Sequence, residues 1–67
     1  MNIDDLQNLK TCIGTGNEAV DLLETLSIDL PYAPDTLKQL EKIINDMHRF
    51  MQTIETEHRR LNILRNS

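Results

Sequence analysis

The sequence predicts an all-α protein, a small helical hairpin or bundle with two short N-terminal helices and one long C-terminal amphipathic helix. Three observations predict this fold class. Apolar residues recur every three or four positions along most of the chain. Glycine and proline occur only at positions 14, 16, 31 and 34, so they divide the N-terminal half and leave the rest uninterrupted. With 67 residues and one cysteine, the chain forms a single domain, residues 1–67, that has no internal disulfide to stabilise it.

Two short helices are predicted before residue 28, over residues 3–13 and 16–27. Gly14 follows the last apolar residue of the first helix, where a left-handed glycine commonly ends a helix. Thr15 and Glu18 then have the T-x-x-E spacing of a capping box, which predicts a new start. One helix that runs through with a kink is the alternative. A phosphate-binding loop would need a preceding strand and a longer glycine pattern than IGTGNE offers.

Residues 28–34 are predicted to form a connector, because Pro31 and Pro34 keep the residues before them out of the helical region. The long helix is predicted over about residues 35–65. Its apolar stripe occupies the a and d positions of a heptad repeat. The residues in these positions are Leu37, Leu40, Ile44, Met47, Met51, Ile54, His58 and Leu61. Ile43, Phe50 and Leu64 at the adjacent g position widen the stripe beyond that of a two-stranded coil.

A difference in helix length predicts that the chain self-associates. The long helix spans roughly 45–50 Å, and the two short helices span about 35 Å when placed end to end. If the short helices fold back along the long one, its last turns keep an apolar face with nothing packed on it. We therefore predict a homo-oligomer, a dimer or higher. The predicted interface residues are Ile44, Met47, Phe50, Met51, Ile54, His58, Leu61 and Leu64.

The sequence predicts no catalytic residues, no metal site and no cofactor. Cys12 is predicted to be a small core residue rather than a nucleophile. Glu55 and His58 have the E-x-x-H spacing of di-iron carboxylate bundles, but Glu24 is the only further glutamate that could point inward. A solvated Glu55 and a His58 that sets the helix register are therefore predicted.

A basic cluster near the C-terminus predicts an alternative function. Arg59, Arg60 and Arg65 suit the negative end of a helix. In an oligomer they could also converge, together with Tyr32, on a small phosphorylated ligand such as a nucleotide, since guanidinium groups bind phosphate in a bidentate manner. Nucleic-acid binding is a second alternative, which the net charge of −4 and the scarcity of aromatic residues disfavour.

The main prediction is a non-enzymatic helical interaction protein, an adaptor, co-chaperone or inhibitor, that self-associates and binds or masks a partner protein through its amphipathic helix. The acidic N-terminus is unlike a signal peptide, and no apolar run approaches the roughly 20 residues that span a bilayer. A lone cysteine suits a reducing compartment, so a cytoplasmic protein without membrane association is predicted. No motif identifies a family. In outline, the hairpin resembles the small co-chaperones that guard needle subunits in type III secretion and small phage-encoded inhibitors.

Overall fold

A computed structural model describes residues 2–66, and this part of the chain consists of two α-helices and no strand. Helix α1 spans Ile3–Asp29 and helix α2 spans Pro34–Asn66. The helices pack side by side in a rod of 50 × 15 × 12 Å. Residues late in α1 contact residues early in α2, so the two helices run antiparallel. The prediction of an all-α hairpin is confirmed, and the division of its first half into two short helices is wrong.

Helix α1 begins where the sequence predicted. Asn2 is its N-cap, and the side-chain Oδ1 accepts a hydrogen bond of 3.0 Å from the backbone amide of Asp4. Asp4 and Asp5 place their carboxylates at the positive end of the helix dipole. The helix ends because Leu30 precedes Pro31 and adopts an extended conformation, with φ −101° and ψ 144°.

Gly14 and Gly16 lie inside α1, which is the main correction to the sequence-based prediction. Neither residue has a positive φ, so neither makes the left-handed stop that was expected. The apolar repeat explains the continuity, because Ile13, Gly16 and Val20 occupy successive core positions without a change of phase. The absence of a side chain at Gly16 allows α2 to lie close to α1 at this point. A Cβ atom there would be 2.7 Å from Cε of Met51.

The connector is shorter than predicted and covers residues 30–33. The backbone amide of Tyr32 donates to the carbonyl of Leu30 at 2.9 Å, which tightens the turn. Pro34 is the first residue of α2, a position where its missing N–H costs no helical hydrogen bond. The carbonyl of Ala33 accepts the first bond of the helix, from the Leu37 amide at 2.9 Å.

The core is a narrow seam between the helices. Among residues 2–66, four apolar side chains are buried: Leu6, Ile13, Val20 and Ile44. Because α1 is continuous, it extends along most of α2, and the imidazole of His58 contacts the carbonyl of Leu6 near the open end of the hairpin. The uncovered last turns, from which the sequence predicted self-association, are therefore largely covered within one chain. Neither helix, over the residues described, is long and apolar enough to cross a membrane.

Candidate functional site on the two sides of the hairpin

One side of the hairpin is a row of polar pairs that join α1 to α2. Asn17 Nδ2 donates to Glu55 Oε1 at 3.0 Å. His48 Nε2 and Glu24 Oε2 are also 3.0 Å apart. Leu6, Ile13 and Val20 are buried at seven-residue spacing and define the a positions of α1. In this frame and in that of α2, the two members on each helix lie seven residues apart at e positions, so they follow one edge of the seam. We call this edge the polar side.

The opposite side of the hairpin is apolar and exposed. In an antiparallel pair whose e positions meet along one edge, the g positions follow the other edge. The exposed apolar residues at these positions include Cys12 and Ala19 on α1 and Ile43 and Phe50 on α2, whereas Glu57 follows Phe50 one heptad later on the same edge. Cys12 is therefore not the core residue that was predicted. Leu22 occupies the adjacent c position of α1 and is 60% exposed. Cys12, Ala19, Leu22, Ile43 and Phe50 together form what we call the apolar side.

The predicted interface residues divide between the seam and the surface. Ile44 is buried, and five others are half-buried along the inner edge of α2: Met47, Met51, Ile54, His58 and Leu61. Phe50 and Leu64 are 60% and 56% exposed. Within one chain, most of the predicted stripe therefore packs toward α1. Phe50 and Leu64 both occupy g positions, and Phe50 contributes to the apolar side, whereas Leu64 lies two residues before the end of α2.

The four predicted anion-binding residues do not meet within one chain. Tyr32 lies in the connector, at the opposite end of the rod from the three arginines. Arg60 donates to the carboxylate of Glu57, and this hydrogen bond and the negative charge of Glu57 raise the pKa of Arg60 above its ordinary value. Arg65 donates to Oδ1 of Asn62 at 3.4 Å. Convergence of these residues between chains stays a prediction.

Arg59, the third arginine of the predicted anion-binding group, lines a shallow recess. Lys10, Ile13, Glu55 and His58 complete its walls, and its volume is about 370 Å³. His58 Nε2 lies 3.1 Å from the carbonyl of Leu6, and because a carbonyl only accepts, the imidazole is the donor. The E-x-x-H pair is thus occupied by protein partners, Glu55 with Asn17 and His58 with Leu6.

Sequence reasoning did not single out one group of side chains whose types and spacing could hold a metal ion. Asp21 and Glu24 on α1 and His48 on α2 each place a ligand atom within 4.8 Å of the others. The signal was present as two carboxylates one helical turn apart, but their pairing with His48 depends on the helix register. The prediction of two separate N-terminal helices left that register undefined.

The fold and its two sides define a class of molecule, an antiparallel helical hairpin with a polar edge and an apolar edge. The sequence matches no family model, and neither the curated proteins nor the solved structures provide a match.

Proposed function

We propose that this protein is a non-enzymatic helical interaction protein whose apolar side binds a second copy of the chain and so forms a four-helix bundle. One observation carries the proposal. Phe50, Ile43 and Leu22 are 60%, 51% and 60% exposed and share one edge of the hairpin, whereas the polar pairs follow the other edge and exposed residues such as Ile28 and Ile63 lie apart from this group. Exposed apolar residues gathered on one face are typical of a binding surface rather than of a free surface.

The small size of the core supports a second copy as the occupant. A chain of 67 residues buries too little apolar surface to be comfortably stable alone, and in the described part of this chain four apolar side chains are buried. Pairing two hairpins through their apolar sides adds Phe50 and Ile43 of both chains to a common core. Each fully buried side chain of this size contributes roughly 1.5–3 kcal/mol relative to an exposed one.

The distribution of charge between the helices favours one arrangement of two copies over others. Helix α1 carries six acidic side chains and one lysine, whereas α2 carries six basic and five acidic ones. A two-fold axis parallel to the rod places α1 of each chain beside α2 of the other. This arrangement brings an acidic helix next to a mildly basic one on every edge of the bundle, which offsets part of the repulsion between two chains of net charge −4 each.

The experiment is light scattering coupled to size exclusion on the wild-type chain, Phe50→Asp and a matched control, Thr56→Asp. Thr56 is exposed and lies six residues further on, at the outward f position of α2, so the control adds the same charge away from the apolar side. We expect twice the chain mass of 7.8 kDa for the wild type and the control, and one chain mass for Phe50→Asp. The hairpin of Phe50→Asp should remain helical, because exposed substitutions usually change stability by no more than about 0.5 kcal/mol.

A wild-type chain that elutes as a folded monomer would overturn self-association. The apolar side would then be a binding surface for an amphipathic helix of another protein. A dimer that survives Phe50→Asp would place the interface on a different surface.

A second candidate function is the binding of a small phosphorylated ligand, and the recess beside Lys10 and Arg59 favours it. Two cationic side chains border the recess, although the carboxylate of Glu55 also faces it. The ratio of absorbance at 260 nm to that at 280 nm tests this candidate, because the chain has one tyrosine, no tryptophan and hence faint absorbance of its own. An excess at 260 nm that Arg59→Ala removes would support ligand binding.

A further inference from the structure

A cluster of three side chains joins the two helices near the connector end of the polar side. Asp21 and Glu24 project from successive turns of α1, and His48 projects toward them from α2. Their ligand atoms lie within 4.8 Å of one another, and Nε2 of His48 is 3.0 Å from Oε2 of Glu24. We call these three residues the cross-helix cluster.

The ligand types in the cluster select a class of metal. Magnesium and calcium prefer sites made of oxygen atoms, whereas imidazole together with carboxylates suits zinc and similar divalent ions. Zinc in proteins is bound by four ligands in structural sites and by three ligands and a water in catalytic sites, and with three protein ligands this cluster would need a water as the fourth. Zinc–ligand distances are about 2.0–2.2 Å, so tetrahedral ligand atoms lie roughly 3.4 Å apart. The two carboxylates are exposed, so small side-chain rotations bring the present spacing to that value.

The charge around the cluster is a separate argument for a cation. Asp21 and Glu24 are three residues apart on one helix, where two like charges repel each other. The recess beside Glu24 adds the carboxylate of Glu41 and the neutral side chain of Asn45, and no lysine or arginine lines it. The single lysine of α1, Lys10, lies eleven residues before Asp21. A divalent ion at the cluster would relieve this excess of negative charge.

We propose that Asp21, Glu24 and His48 bind one zinc ion that links α1 to α2. The ligands come from both helices, so the site is complete only when the hairpin is closed. Binding to the folded chain in preference to the unfolded one stabilises the fold. Zinc would thus hold together a hairpin with a small core, independently of the apolar side and of what binds there.

The test is calorimetric titration of the full chain, freed of metal with a chelator, with zinc chloride. It is performed on Cys12→Ala, because an exposed thiol is itself a zinc ligand and alanine keeps position 12 of the apolar side apolar. In that background, His48→Gln and Glu24→Gln remove one ligand each while keeping a polar side chain of similar size. Glu18→Gln is the matched control, since it removes an exposed carboxylate of α1 that lies outside the cluster.

We expect one zinc ion per chain, an affinity at least tenfold weaker in both ligand variants, and an unchanged affinity in the control. The thermal midpoint, followed by circular dichroism, should rise with zinc and fall back when a chelator is added, and His48→Gln should abolish this rise. The same spectra check that each variant is helical before zinc is added. Absence of binding by the parent chain, or equal affinity for the parent and His48→Gln, would overturn the proposal.

Discussion

At the scale of single residues, the two glycines of α1 differ in what their missing side chains do for helix packing. A Cβ at Gly14 would meet no heavy atom within 4 Å, whereas a Cβ at Gly16 would lie 2.7 Å from Cε and 3.0 Å from Sδ of Met51. Gly16 therefore permits close approach of the helices, and Gly14 lowers helix stability without any compensating contact. Substitution by alanine should therefore change the free energy of unfolding differently at the two positions.

Gly14→Ala should raise the free energy of unfolding by about 0.5–1 kcal/mol, because alanine loses less backbone entropy than glycine in a helix. Gly16→Ala should raise the free energy of unfolding by much less, since the terminal atoms of Met51 must move to accept the new methyl group. Urea unfolding followed by the helical signal at one fixed protein concentration measures both. A destabilising Gly14→Ala would indicate a left-handed residue there, and hence the broken helix that the sequence suggested.

At the scale of the helices, the sequence predicted α2 almost to the residue: the predicted range was about 35–65, and the helix spans Pro34–Asn66. It failed at α1 because Gly14, Thr15 and Glu18 carry strong local stop and start signals. Tertiary packing overrode them. The apolar repeat has the same phase on both sides of Gly16, as in a continuous helix. A glycine in a core position does not look like a packing residue in the sequence, because its contact with Met51 is seen only in the structure.

The site was predictable only where it depended on one helix. Phe50 was predicted to be an interface residue from the unbroken heptad repeat of α2, and the structure shows that its side chain is exposed. The apolar side and the cross-helix cluster combine residues of α1 and α2. Their composition depends on which residue of α1 lies opposite His48 or Phe50, and periodicity within a single helix does not contain that information.

The polar side is expected to fix this register, and a double-mutant cycle on Asn17 and Glu55 measures its contribution. Their hydrogen bond is 3.0 Å long, involves an ionised acceptor and is partly buried. We expect Asn17→Ala and Glu55→Ala to be coupled by about 1 kcal/mol, a typical value for a hydrogen bond that water partly screens. Urea unfolding of the four chains gives the coupling energy.

A coupling near zero would mean that the apolar seam alone sets the register. The matched comparison is the cycle on Asn17 and Glu57, since Glu57 hydrogen-bonds within its own helix to Arg60 rather than to α1. That pair should show no coupling with Asn17 beyond experimental error.

At the scale of the whole molecule, the free energy of dimer formation adds to the free energy of unfolding if the dimer forms. A hairpin with a narrow seam gains much of its apolar burial from the second copy, so unfolding and dissociation should occur in one step. Such a chain has no single melting temperature, because mass action makes the folded dimer more stable at higher concentration. A monomeric hairpin melts at the same temperature at every concentration.

The thermal midpoint should therefore rise with protein concentration, and its slope can be estimated. Unfolding enthalpies of about 0.7 kcal/mol per residue give roughly 90 kcal/mol for two chains, so a tenfold rise in concentration should raise the midpoint by on the order of 5 °C. Circular dichroism melts over a hundredfold range of concentration, in chelator so that zinc does not contribute, measure this slope. Phe50→Asp should abolish it and Thr56→Asp should keep it. A midpoint that is independent of concentration in the wild type would show that the seam between α1 and α2 is sufficient for folding, and the apolar side would then be available to a different protein.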